Sequence, residues 1–292
     1  MPYISEEISS QPECWAKAAA LASAVDGSLP AEGERVAAIG CGTSYNIALA
    51  YAARREATGH GFTDAMPASE LHPHRQYDRY LFFSRSGTTT EVVQALGQVP
   101  RGTPSTALTA NHSSPVAIGA DHTVLLDFAA EKSVVQTRFA TSLLILLRAH
   151  LGEDVSGAIR DARLCLGEPL PEGTLDASHF TFLGRGWTVG VAHEAALKLR
   201  EAALVWTESY PAMEFRHGPI SVVDDRAVVW SFGPPPPDLE EEVGPTGARF
   251  VVSAGDPLAE LVKVQRLAVQ RATAAGLDPD RPRHLAFSVI LN

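Results

Sequence analysis

Two stretches of the chain open in the same way. The apolar run Arg35-Val36-Ala37-Ala38-Ile39 ends in the turn Gly40-Cys41-Gly42-Thr43-Ser44 and passes into an alanine-rich helical stretch reaching about Arg55. The run Phe180-Thr181-Phe182-Leu183 ends in Gly184-Arg185-Gly186-Trp187 and passes into a helix reaching about Val205. Strand, glycine turn and helix in succession form the unit of a doubly wound parallel sheet, whose ligands bind beyond the carboxyl ends of the strands. Further β-rich runs at 79–84, 105–110 and 123–127 continue the first unit, and runs at 227–232 and 249–253 with a helix over 257–275 continue the second. Alternation of this kind predicts an α/β protein with two subdomains, each a doubly wound, flavodoxin-like parallel sheet flanked by helices. The Pro-broken stretch near 167–173 divides them, giving an N-terminal helical segment at 1–28, a first unit at 29–166 and a second at 174–292. The helical pattern of 6–25 predicts a helical segment packed on the first unit.

Composition narrows the function classes. With 45% apolar and 20% charged residues over 292 positions, the chain can bury a sizeable core without metal or disulfide support. A net charge of -10 with no Lys/Arg run argues against nucleic-acid binding, and no apolar stretch reaches the roughly 18 residues of a membrane span. The widely spaced Cys14, Cys41 and Cys165, and an N-terminus without a basic and apolar leader, suit a reducing, cytoplasmic setting. No metal-ligand spacing occurs, and no cofactor is expected. A small phosphorylated ligand stays compatible with the acidic charge, because backbone N–H groups and hydroxyls can hold one phosphate.

The chemistry concentrates in two places. Ser84-Arg85-Ser86-Gly87-Thr88-Thr89-Thr90-Glu91 follows an apolar strand and leads into a helix. Thr88 and Glu91 fit a capping box, which needs one hydroxyl. Five hydroxyls within seven residues exceed that need and favour a phosphate loop, with Gly87 allowing close backbone approach. Only the first unit carries such a loop, so one phosphate site per chain is expected. On the later helix Glu194, Lys198 and Glu201 are spaced by four and three and lie on one stripe, either as an exposed ion-pair ladder or as a catalytic set. His217 follows in Glu214-Phe215-Arg216-His217-Gly218-Pro219, where Gly-Pro forces a turn, and histidine is the side chain that most readily exchanges a proton near neutral pH. Cys41 has no local histidine or lysine and reads as a small buried residue.

These residues resemble the sugar-isomerase (SIS) family, specifically its tandem-domain members related to the isomerase half of glucosamine-6-phosphate synthase. Cys41-Gly42-Thr43-Ser44-Tyr45-Asn46 is similar to that family's first sugar-contacting turn, 84–89 to its phosphate loop, and Glu131-Lys132-Ser133-Val134-Val135-Gln136-Thr137 to the segment beside the sugar. The stretches 193–201 and 214–219 resemble its catalytic helix and histidine loop, and Pro282-Arg283-His284-Leu285-Ala286-Phe287-Ser288-Val289 its closing tail. The resemblance implies that Ser84, Ser86 and Thr89 hold phosphate in a loop shared with Arg85, Gly87 and Thr88. It implies that Thr43, Ser44, Val134 and Gln136 lie near phosphate and sugar, that Glu201 moves a proton at C1/C2, that Lys198 and Glu194 accompany it, and that His217 assists ring opening from a neighbouring subunit of a homodimer.

One departure bears on the reaction: the family's tail lysine is replaced by Phe287, which removes the amine that would meet the opened sugar. The expected activity is of the glucosamine-6-phosphate isomerase/deaminase type on a hexosamine 6-phosphate. Two alternatives stand beside it, a lyase that dehydrates N-acetylglucosamine 6-phosphate and a non-catalytic sugar-phosphate sensor.

Overall fold

The computed structural model describes residues 2–72 and 74–291. In chain order the elements are α1 (Tyr3–Ser9), α2 (Gln11–Leu21), β1 (Val36–Gly40), α3 (Thr43–Ala57), β2 (Thr63–Pro67), β3 (Arg79–Phe83), α4 (Thr90–Leu96), β4 (Ser105–Thr109), α5 (Pro115–Gly119), β5 (His122–Leu125), α6 (Arg138–His150) and α7 (Ser156–Gly167). There follow β6 (His179–Gly184), α8 (Thr188–Ala203), β7 (Trp206–Pro211), β8 (Ala227–Phe232), α9 (Leu239–Val243), β9 (Arg249–Val252) and α10 (Pro257–Ala274). Short 3-10 turns fill several of the gaps, among them Glu214–His217.

Both sheets are wholly parallel, with strand orders β2-β1-β3-β4-β5 and β7-β6-β8-β9. The first is the flavodoxin-like order, in which loops leaving β1 and β3 diverge and open a crevice at their carboxyl ends. Alternation along the strands explains the layers. Val36, Ala38, Leu81 and Phe83 face a central core, while Ala37, Ile39, Tyr80 and Phe82 face an outer one beneath α4 and α5. Phe180, Phe182, Val228 and Trp230 of the second sheet face the same central core, which is filled between the sheets by residues of α3, α6, α8 and α10. Leu183, Val229, Phe215 and Leu239 form the second sheet's outer core. Strands covered on both faces read as continuous apolar runs, which is why β1, β3 and β8 stand out in the sequence.

α3 packs directly on α8. Gly190, in the first turn of α8, makes this possible, since a Cβ there would lie 2.5 Å from the Asn46 carbonyl oxygen and 2.7 Å from the Ala50 nitrogen. This crossing of one unit's helix on the other's brings the chemistry together.

Two local details follow from the structure. The leading segment is two helices, broken at Ser10, because Pro12 in the first turn of α2 has no N–H to continue the ladder of α1. The capping box does not form: Thr89 is the N-cap of α4 without a side-chain bond, and the Thr88 hydroxyl turns to the tail.

Candidate active site

The stripe on α8 is not an exposed ladder. Glu194 and Lys198 are both 1% exposed in their side chains, while Glu201 is 20% exposed. The Lys198 ammonium lies 3.2 Å from Glu194 Oε1 and 2.6 Å from Glu201 Oε2, and donates to Thr43 Oγ1 at 2.9 Å. Thr43 in turn donates to Glu194 Oε1 at 3.0 Å, and Asn46 Nδ2 donates to Glu194 Oε2 at 2.9 Å. Burial pushes the Glu194 carboxyl up, with Lys198 opposing and Glu201 adding to the rise. For Lys198 burial works downward, yet the two carboxylates outweigh it and hold the ammonium above its ordinary range. Held by two carboxylates and the Thr43 hydroxyl, Lys198 is a fixed cation and not a free nucleophile. Glu194 likewise has both oxygens occupied, so of the three only Glu201 is open to a ligand.

The loop after β3 converges on the tail. Ser86 Oγ, Thr88 Oγ1 and Thr89 Oγ1 stand 3.1, 2.9 and 3.3 Å from Ser288 Oγ. Thr90 N donates to Val289 O, and Leu291 N donates to Thr90 Oγ1. Gly87 has φ +66°, and a Cβ there would overlap Ser114 Oγ, so the loop's tight path requires glycine. Ser84 is buried and turned inward, its Oγ accepting from Gly87 N at 3.0 Å; it shapes the loop and does not line it.

Arg85 also turns inward. Its side chain is buried: Nη1 donates to Glu131 Oε2 at 3.2 Å and Ser133 O at 2.9 Å, and Nη2 to Val134 O at 3.0 Å and Phe287 O at 3.1 Å. The guanidinium also stacks 3.9 Å from the centroid of the Phe287 ring. Arg85 is thus spent on joining 131–134 to the tail, because a buried cation needs its carboxylate and carbonyl partners. A crevice of about 370 Å³ opens beside it, lined by Arg85, Ser86, Thr88, Asn111, Glu131 and Phe287.

The remaining expected residues divide. Ser44 is buried in the first turn of α3 beside Thr43. Val134 serves through its backbone, donating to Asp280 O and accepting from Arg85. Gln136 Oε1 is buried without a hydrogen-bond partner in the described residues. His217, at the end of its 3-10 turn, is exposed and makes no hydrogen bond among the described residues, so the chain alone does not bring it to Glu201. Cys41 is half-buried, and burial raises its thiol.

Three further residues belong to the site without a signal of their own in the sequence. Asn46 reads in the sequence as part of the turn 41–46 and in the structure holds Glu194 from α3. Glu7, buried in α1, accepts from Lys132 N at 2.5 Å and from Ser133 N and Oγ, and so fixes the segment beside the site. Ser288 lies about 200 residues from the hydroxyls it meets, a distance over which no local pattern could have announced it. Among the described residues no cluster of three or more His, Cys, Asp or Glu is arranged to hold a metal, and no helix is long and apolar enough to cross a membrane.

A doubly wound pair of sheets with a hydroxyl loop at one switch point and a carboxylate-bearing helix crossing it defines a class. Residues 31–150 match the SIS domain family. The isomerizing glutamine–fructose-6-phosphate aminotransferases of Methanothermobacter thermautotrophicus and Sulfurisphaera tokodaii are 28% and 30% identical to it, over 88% of this chain in each case and 52% and 50% of theirs. The chain therefore spans about half the length of these relatives. Among solved structures, glucosamine-6-phosphate deaminase from Thermotoga maritima superposes with a TM-score of 0.81 at 26% identity, covering 99% of this chain and 100% of that one. Tagatose-6-phosphate ketose/aldose isomerase from Escherichia coli gives a TM-score of 0.81 at 21% identity, over 99% and 96%, a likeness of fold.

Proposed function

We propose that the chain is a phosphosugar-metabolising enzyme that abstracts the C2 proton of a hexosamine 6-phosphate, of the glucosamine-6-phosphate isomerase/deaminase type. The observation that carries this is the buried Glu194–Lys198 pair ending in Glu201, the one partly open carboxylate of the set. A partly exposed carboxylate held by a buried cation is suited to take a proton from carbon. Ser86, Thr88 and Thr89 hold the phosphate, with Thr43, Ser44, Val134 and Gln136 nearby; Ser84 and Arg85 support them from behind. His217 assists ring opening, and its exposure in one chain is consistent with delivery across a homodimer. We keep the division into 1–28, 29–166 and 174–292, whose outermost residues Met1 and Asn292 lie outside the described structure, and we assign the protein to the cytoplasm.

With a free amine at C2, Glu201 moves the proton from C2 to C1. The resulting C2 imine takes up water to give ketose 6-phosphate and ammonia. A second reading is favoured by one observation: none of the four lysines is free at the site. Lys198 is held by two carboxylates, Lys263 pairs with Glu168 and Glu260, and Lys17 and Lys132 lie over the rings of Phe128 and Tyr3. Phe287 stands where the family's lysine would, stacked on Arg85. With an acetamide at C2 the carbanion instead expels the C3 hydroxyl as water, a step that needs no lysine amine. The test is incubation with hexosamine 6-phosphates, free and N-acetylated, followed by mass analysis of products. Ammonia or a mass-neutral ketose supports the first reading, and loss of one water with the acetyl group retained supports the second. Return of every sugar unchanged would sink both.

A further inference from the structure

Asn46 has no assigned role, yet among the described residues it is the side chain that holds the second oxygen of Glu194. We infer that Asn46 is a positioning residue, which sets the geometry of Glu201 through Glu194 and Lys198 from across the junction of the two units. The inference rests on the proposed role of Glu201 as the base.

The chain of contacts leaves little freedom. Asn46 and Thr43 lie in the first turn of α3, and their N–H and O–H fix the two oxygens of the Glu194 carboxylate at 2.9 and 3.0 Å. The fixed carboxylate, with Thr43 Oγ1, defines two of the three directions in which the Lys198 ammonium can point. The ammonium placed in this way forms an ion pair with Glu201 Oε2 at 2.6 Å. Glu194 and Lys198 are buried, so water cannot replace a lost partner. Deleting the amide donor of Asn46 leaves one buried carboxylate oxygen unpaired. Glu194 then turns to share its other oxygen, Lys198 follows it, and Glu201 loses the contact that orients its free oxygen. None of these groups touches the hydroxyls of 86–89, whose partners lie in the tail. Loss of Asn46 should therefore fall on the chemical step and spare phosphate binding.

The experiment compares Asn46→Leu, similar in volume but without a donor, with the unaltered chain on a hexosamine 6-phosphate that the latter turns over. We expect kcat to fall by about 10–100-fold, the scale of a misplacement of about 1 Å, with KM within about two-fold. In a Glu194→Gln background the same substitution should have less than about a two-fold effect, because the link it acts through is already broken. Asn46→Ser, smaller and easier to pack, serves if the leucine variant fails to fold, and its melting temperature and sugar-phosphate binding by calorimetry check that the fold is intact. An unchanged kcat, a loss confined to KM, or full additivity with Glu194→Gln overturns the inference. Absence of turnover and of solvent exchange at C2 in the unaltered chain would instead overturn the proposed function.

Discussion

Replacing Gly190 with alanine tests the helix crossing on which the site depends. The added methyl would stand 2.5 Å from the Asn46 carbonyl oxygen, 2.7 Å from Ala50 N and 3.0 Å from Ala50 Cβ. Carbon approaches a carbonyl oxygen to about 3.3 Å, so α3 and α8 must separate by about 0.8 Å. The first two obstacles are backbone atoms, which cannot swing aside as a side-chain tip would. One turn further along α8, the Thr43 and Asn46 bonds to Glu194 would stretch from 3.0 and 2.9 Å to about 3.8 and 3.7 Å, beyond hydrogen-bond range. Overpacking of this kind costs about 1–3 kcal/mol, and the weakened bonds to a buried carboxylate add about 1.5–3 kcal/mol. At about 2–4 °C per kcal/mol for a chain near this size, the melting temperature should fall by about 5–20 °C. Turnover should fall more than ten-fold while binding of the sugar phosphate holds. Calorimetric melting beside a product assay reads both. A melting temperature within about 1 °C of the parent with normal turnover would refute the crossing and the linkage through Glu194.

Other outcomes follow from the same geometry. Ser86→Ala should weaken calorimetric binding of glucosamine 6-phosphate by about 2–10-fold, the worth of one hydrogen bond, and leave binding of the unphosphorylated sugar unchanged. Ser288→Ala should tighten phosphate binding by a few-fold, because Ser288 Oγ engages the hydroxyls that a phosphate oxygen would need; weaker binding would mean that Ser288 is itself a phosphate ligand. Glu131→Ala, which strands Arg85 in the interior, should destabilise the fold by about 3–5 kcal/mol in urea titration, and a change below about 1 kcal/mol would contradict the buried pair. Burial pushes the Cys165 thiol up to about 12 from 9.0. Its folded state holds the proton more tightly than the unfolded chain, so this contribution to stability is present below pH 9 and lost between pH 9 and 12. Cys165→Ala should flatten that part of the stability profile, and an unchanged slope would contradict the assignment.

Legibility of the fold followed apolar and β-branched composition, which also marked the partly exposed edge strands β5 and β9. β1, β3, β4 and β8 are continuous buried runs and could be read directly, as could the helix that carries Glu194, Lys198 and Glu201. The edge strands β2 (Thr-Asp-Ala-Met-Pro) and β7 (Trp-Thr-Glu-Ser-Tyr-Pro) escaped notice, because each is polar, partly exposed and closed by proline. Such strands are specified by register against β1 and β6 and not by their own composition. The hydroxyl excess in 84–90 marked the loop, yet it could not separate Ser84 and Arg85, which turn inward, from Ser86, Thr88 and Thr89, which converge on the tail. That division depends on Glu131 and Phe287, which lie 46 and 202 residues from Arg85. Burial of the α8 stripe was equally hidden, since spacing puts three charges on one side of a helix without saying what covers them; α3 does so only because Gly190 lets it approach.

The central claim is that Glu201 takes a proton from C2, and exchange with heavy water reads that step whatever follows it. Glucosamine 6-phosphate and its N-acetyl derivative would be incubated with the protein in deuterium oxide and followed by proton NMR and mass analysis. The account predicts deuterium at the carbon derived from C2 or C1, or loss of the C2 proton in a dehydrated product, for at least one of the two. It predicts none of these with Glu201→Gln, whose amide cannot take the proton, although that variant still binds the sugar phosphate. Undiminished exchange in Glu201→Gln, or no exchange with any hexosamine 6-phosphate in the unaltered protein, would contradict it.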